Sequence, residues 1–91
     1  MVRDDYKYAY IDTATTTQVF TGKCKLIAIV VGETAAGAIS IIDGIAGSTA
    51  NVGTLKTSIV EGRYEFNASI AAGIRIVTAA ASKITVIYAN A

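Results

Sequence analysis

From residue 63 to residue 70 the chain alternates apolar and polar side chains without a break. Tyr64, Phe66, Ala68 and Ile70 fall on one side of an extended backbone, Arg63, Glu65, Asn67 and Ser69 on the other. A period of two is what a strand with one face in a core requires. The same pattern recurs along most of the chain. Tyr6, Tyr8 and Tyr10 oppose Lys7, Ala9 and Ile11; Ile39 and Ile41 share a face in 38–43; Leu55, Thr57 and Ile59 oppose Lys56 and Ser58 in 52–59. Ile74 and Ile76 pair in 73–78, and Ile84, Val86 and Tyr88 in 83–88. Segment 13–20 is rich in threonine, whose branched Cβ suits a strand better than a helix. Segment 24–31 is apolar on both faces after Lys25, which predicts a central strand covered by an opposing sheet on one side and by a neighbouring subunit or loop on the other.

Glycine punctuates these runs. Gly22, the stretch 32–37, Asp43-Gly44 with the small-residue segment 45–51, and Glu61-Gly62 read as turns and loops. A helical alternative fails on length, because Ala35-Ala36 and Ala79-Ala80-Ala81 are too short to nucleate and are flanked by glycine or serine. The triplet Ala-Ala-Gly occurs at 35–37 and again at 71–73, each time before an isoleucine-bearing strand, which reads as similar turn chemistry and not as a repeat. About eight short strands with regular turn signals predict an all-β, single-domain antiparallel β-sandwich of jelly-roll-like connectivity. Its expected extent is 6–91, with 1–5 as an N-terminal arm.

Ninety-one residues hold one core. A fold of this size hides only about 60–65% of the surface its unfolded chain exposes, so its margin of stability is small. The chain is 53% hydrophobic and 16% charged, with a mean hydropathy of +0.50. That balance predicts more continuous apolar surface than a solitary soluble domain carries, and hence burial between copies. A formal net charge of +1 without a basic run gives little field to attract nucleic acid or anionic lipid, so neither is expected as a partner. The apolar run 26–31 is far short of the ~20 residues that span a bilayer. The opening Met1-Val2-Arg3-Asp4-Asp5 is acidic and polar where a signal peptide needs a basic start and an apolar stretch, so a soluble protein made inside a cell is expected. The single cysteine, Cys24, excludes an internal disulfide. It reads as a small core hydrophobe, with a reactive thiol as the alternative because Lys23 and Lys25 flank it.

The chain offers little for catalysis. With no histidine, a histidine-activated nucleophile and the usual zinc ligand sets are excluded. Asp4, Asp5, Asp12, Glu33, Asp43, Glu61 and Glu65 fall mostly at turns and outward positions, and no glycine-rich phosphate loop leads into a helix. The expectation is a protein that is not an enzyme and holds no cofactor and no metal. Asn67-Ala68-Ser69 matches a glycosylation acceptor, a triplet common by chance. Tyr6, Tyr8 and Tyr10 form the one aromatic cluster. They could stack on sugars or bases, but tyrosine's large apolar area with a polar tip favours a subunit interface. Phe20 and Tyr88 are lesser interface candidates.

Several segments resemble a family of small β-sandwich virion proteins of tailed bacteriophages. They are Asp5 to Ile11, Thr15-Thr16-Thr17-Gln18-Val19, Leu26 to Ile29, Ile41-Ile42-Asp43-Gly44, Gly73 to Thr78 and Ile84 to Tyr88. The resemblance covers nearly the whole chain and departs from the pattern at 45–51 and 79–81. It implies a capsid cement or decoration protein on the virion surface, made in the host cytoplasm, that stabilises the head shell through contacts with the major capsid protein or another virion protein. A homo-oligomer, with a trimer favoured because capsids offer threefold positions, goes with it. A tail- or fibre-associated carbohydrate-binding module and a head–tail or tail component are the alternatives, and no catalytic residue comes with the resemblance.

Overall fold

Tyr10 and Ile11 state the rule by which this chain builds its strands: neighbours in sequence, one lies 56% exposed and the other 4%. The computed structural model describes residues 6–90, and the arm expected at 1–5 lies outside them. Among the described residues there are eight strands and no helix: β1 (Tyr6–Ile11), β2 (Thr16–Thr21), β3 (Cys24–Glu33), β4 (Ile39–Asp43), β5 (Asn51–Leu55), β6 (Gly62–Ile70), β7 (Gly73–Thr78) and β8 (Lys83–Asn90). They form two four-stranded antiparallel sheets, ordered β1-β8-β3-β6 and β2-β7-β4-β5. First pairs with last, second with seventh, third with sixth and fourth with fifth. This is a long hairpin rolled into a sandwich, the jelly-roll connectivity the strand spacing predicts.

The core lies between the sheets and is made largely of β-branched side chains. Leu26, Ile29 and Val31 of β3, Ile39 and Ile41 of β4, Ile74 and Ile76 of β7, and Ile84 and Val86 of β8 are each at most 1% exposed. Burying such a side chain contributes roughly 1.5–3 kcal/mol. Phe66 of β6 reaches across the open flank to β5, where a Cβ on Gly53 would stand 3.2 Å from its ring, so the glycine makes room for the phenyl group. Cys24, 1% exposed, sits in this core as the sequence predicts for a small hydrophobe.

Two expectations are corrected. The alternation over 52–59 continues past the strand itself. β5 stops at Leu55 because β4 offers no partner beyond Ile39, and the chain turns through Ser58 at φ 54°. The outer side of β3 also needs no second subunit to cover it. Between Leu26 and Ala28 the register with β8 slips by one, and the extra residue puts both Ile27 and Ala28 outside the core cluster. They are nevertheless only 6% and 0% exposed within the single chain. Ile87 and Glu65 stand directly opposite Ala28 on the two flanking strands.

Polar groups tie each end of the sandwich. At one end the Asp43 carboxylate accepts the backbone N–H groups of Ala71 (3.0 Å) and Ala72 (2.9 Å), and the Gln18 amide donates to the carbonyls of Gly44 (2.9 Å) and Phe20 (3.0 Å). Gly73 passes between these strands at φ 154°, and a Cβ there would lie 2.6 Å from the Phe20 carbonyl oxygen. At the other end the buried Thr78 hydroxyl donates to the Thr13 carbonyl (2.6 Å) and accepts the Thr15 N–H (3.0 Å).

Candidate interaction surface

Residues directly opposite across antiparallel strands share a face, so the register of the first sheet can be read in rows. On the outer face one row runs Tyr10, Thr85, Val30, Arg63 and the next Tyr8, Ile87, Ala28, Glu65. The third runs Tyr6, Ala89, Lys25, Ser69. Each row begins with a tyrosine at the β1 edge. The first two pass through apolar or small residues and end on a charged side chain at the β6 edge. Tyr6, Tyr8 and Tyr10 are 59%, 73% and 56% exposed, the most open aromatic surface among the described residues.

The edges differ in regularity. β2 is broken by a register shift between Gln18 and Phe20, and β5 meets a shift in β4 between Ile41 and Ile42. β6 carries an extra residue against β3, with Asn67 in the left-handed region at φ 47°, a conformation asparagine tolerates better than most residues. β1 alone pairs over its whole length without a slip. Bulges, prolines and charges are the usual devices that keep a sheet edge from pairing with another chain. β1 has no bulge and no proline, and Lys7 is its one charged residue.

At the opposite edge Arg63 and Glu65 form an ion pair with each other, their side chains 47% and 52% exposed. Between them in sequence, the Tyr64 hydroxyl turns the other way and donates to the Val60 carbonyl. Near Tyr10, Lys83 meets Glu33 at 3.0 Å, and that carboxylate holds the ammonium above the ordinary lysine range, with Tyr10 and Asp12 adding to the effect. No three His, Cys, Asp or Glu side chains among the described residues are grouped to hold a metal ion. Burial, with a further contribution from Asp43, pushes the Cys24 thiol up, which leaves it protonated and unreactive. The outer face of this sheet is aromatic at one margin and charged at the other.

Of the sequence-expected interface residues, the structure brings Tyr6, Tyr8 and Tyr10 together. It does not join Phe20 and Tyr88 to them. Tyr88 lies opposite Lys7 and Leu26 on the inner face, and its ring meets that of Phe20 between the sheets, centroids 5.6 Å apart and tilted 46°. Both are half-buried against the core. Arg63 and Glu65 were legible as outward residues, but their place at the far end of the tyrosine rows follows only from the sheet order.

No protein-family model and no curated protein matches this sequence. Among solved structures, the Drosophila NLP core superimposes with a TM-score of 0.60 over 97% of this chain and 99% of that one, at 8% identity. At that identity the likeness establishes the fold. The crystal structure of the NLP core bears on pentamer formation and histone binding. A solved architecture that matches nearly end to end is thus an animal protein described in those terms. On this finding the expected function is corrected, both the capsid cement or decoration protein and its tail or carbohydrate-binding alternatives, and the virion description goes with it.

Proposed function

We propose that this chain is a non-enzymatic, self-assembling protein-binding module, in which copies close into a ring of five and the ring presents one shared surface to a polypeptide partner. The observation that carries the reading is the end-to-end match of its eight-stranded sandwich to the NLP core, a protein described in terms of pentamers and histones. The composition supports assembly, since a 53% hydrophobic chain of this size gains stability by covering apolar surface with its own copies. A ring of five takes the place of the threefold arrangement, whose support was the geometry of capsids.

The partner's chemistry follows from charge. A net charge of +1 with no acidic run supplies no long-range pull on a strongly basic protein. Recognition then rests on aromatic and apolar contact, multiplied by the number of copies in the ring. The mass of the purified protein in solution, by light scattering, tests the assembly: five times 9.4 kDa, about 47 kDa, is expected for a closed ring. Titration with core histones at low and high salt tests the partner, and binding that weakens little with salt is the expected result. A monodisperse single chain would overturn the assembly, and binding that vanishes in high salt would overturn the stated mode of recognition.

A further inference from the structure

We infer that neighbouring copies of this chain meet edge to edge, the tyrosine margin of β1 on one copy seating against the Arg63–Glu65 margin of β6 on the next. The inference rests on the ring proposed above and names the surface that closes it. β1 and β6 are the two edges of one sheet, and with β8 and β3 between them in strict antiparallel alternation they run in opposite directions. A second copy placed at either margin therefore continues the sheet's own alternation, antiparallel strand on antiparallel strand, with no reversal of the subunit.

The chemistry of the margins is complementary. Continuing the outer rows from one copy to the next sets Arg63 beside Tyr10 and Glu65 beside Tyr8. A guanidinium stacks favourably on a tyrosine ring, and a carboxylate accepts from a phenolic hydroxyl. On the inner face the same continuation sets Tyr64 beside Ala9, a large side chain beside a small one. β6 is regular from Gly62 to Glu65, before the irregularity at Asn67, which ends the pairing after the first two rows.

The area is of the right order. At their observed exposures the three tyrosines alone offer roughly 400 Å², about half of the ~800 Å² that each side of a stable interface buries. The exposed Lys7 adds to that side, and on the facing margin the exposed Arg63 and Glu65 and the half-exposed Tyr64 supply the opposing area. Two different surfaces meet in this contact. Such a head-to-tail contact closes into rings of any number, odd numbers included, whereas a self-complementary contact gives pairs.

The experiment uses two variants of the whole chain, the Tyr6→Ser, Tyr8→Ser, Tyr10→Ser triple variant and Arg63→Glu, with far-UV circular dichroism to show that each retains its strands. Each alone is expected to drop from the ring mass to that of one chain. Mixed, they should form a one-to-one pair, because one variant keeps an intact β6 margin and the other an intact β1 margin. Should the triple variant fail to fold, Tyr8→Lys takes its place, since Tyr8 is the most exposed of the three. A wild-type ring that survives either substitution, or two single-chain variants that never pair on mixing, overturns this inference and leaves the ring standing. A wild-type protein that is itself a single chain overturns both.

Discussion

The Asp43 carboxylate and the backbone of Ala72 are joined at 2.9 Å, and with the neighbouring Ala71 bond this pins the end of β4 to the turn between β6 and β7. The two N–H donors hold the carboxyl below its ordinary range, with Gly73 contributing and burial opposing. A carboxyl whose folded value is lowered stabilises the fold above its unfolded value, near pH ~4. That stabilisation is lost as pH falls through the lower folded value. Asp43→Ala is expected to cost about 1–3 kcal/mol at neutral pH, and the difference from wild type should shrink on acidification below about pH 4, as urea unfolding followed across pH would show.

Gly73 is expected to tolerate no side chain. Its φ of 154° is strained for any other residue, and a Cβ would press against the Phe20 carbonyl oxygen at 2.6 Å and come within 3.0 Å of that of Gly44. Gly73→Ala should lower stability by about 2–4 kcal/mol, read as a fall in the urea midpoint with an unchanged slope.

Gln18 acts as a clamp between strands, its amide donating to carbonyls of Gly44, Phe20 and, at 3.3 Å, Ile74, while Arg75 donates to its oxygen at 3.4 Å. Gln18→Met keeps the volume and removes the donors. The expected loss is about 1–3 kcal/mol, because partly buried carbonyls are left without partners, and amide hydrogen exchange at the ends of β2 and β7 should quicken.

Thiol labelling of Cys24 should report opening of the core. Burial comes first in raising the thiol and Asp43 second, so the folded chain keeps its proton at a pH where the unfolded chain has released it. Labelling is expected to follow the unfolding equilibrium and not the thiolate fraction of a free cysteine, and stability should fall as pH rises through about 8.5. Rapid labelling of the native protein would contradict the position of Cys24 in the core.

How far the sequence carried depends on what each signal reports. Alternation reports which face a side chain takes, so Ile11 is buried while Tyr10 is exposed, and Tyr64, Phe66 and Ile70 and the isoleucine pairs of β4 and β7 are found in the core or packed against it. Alternation does not report where a partner ends, which is why 52–59 reads as a longer strand than the five residues of β5. Nor does it reveal an extra residue in a ladder: the slip at Ile27 turned an expected subunit contact into a surface the sheet covers itself. The tyrosine margin was legible as an interface candidate. The charged margin that faces away from it was not, because the distance between β1 and β6 is set by strand order, a product of pairings between residues far apart in the chain.

The insertion of β8 between β1 and β3 sets an order of events at the ribosome. Two strands that end up separated by 83–90 must wait for those residues to emerge, so until then the most apolar strand, β3, lacks one neighbour. Such wide loop closures place folding in the slow, millisecond-to-second class. During that interval one edge of β3 stands open to pairing with another chain, and a truncation that removes β8 would leave it open for good.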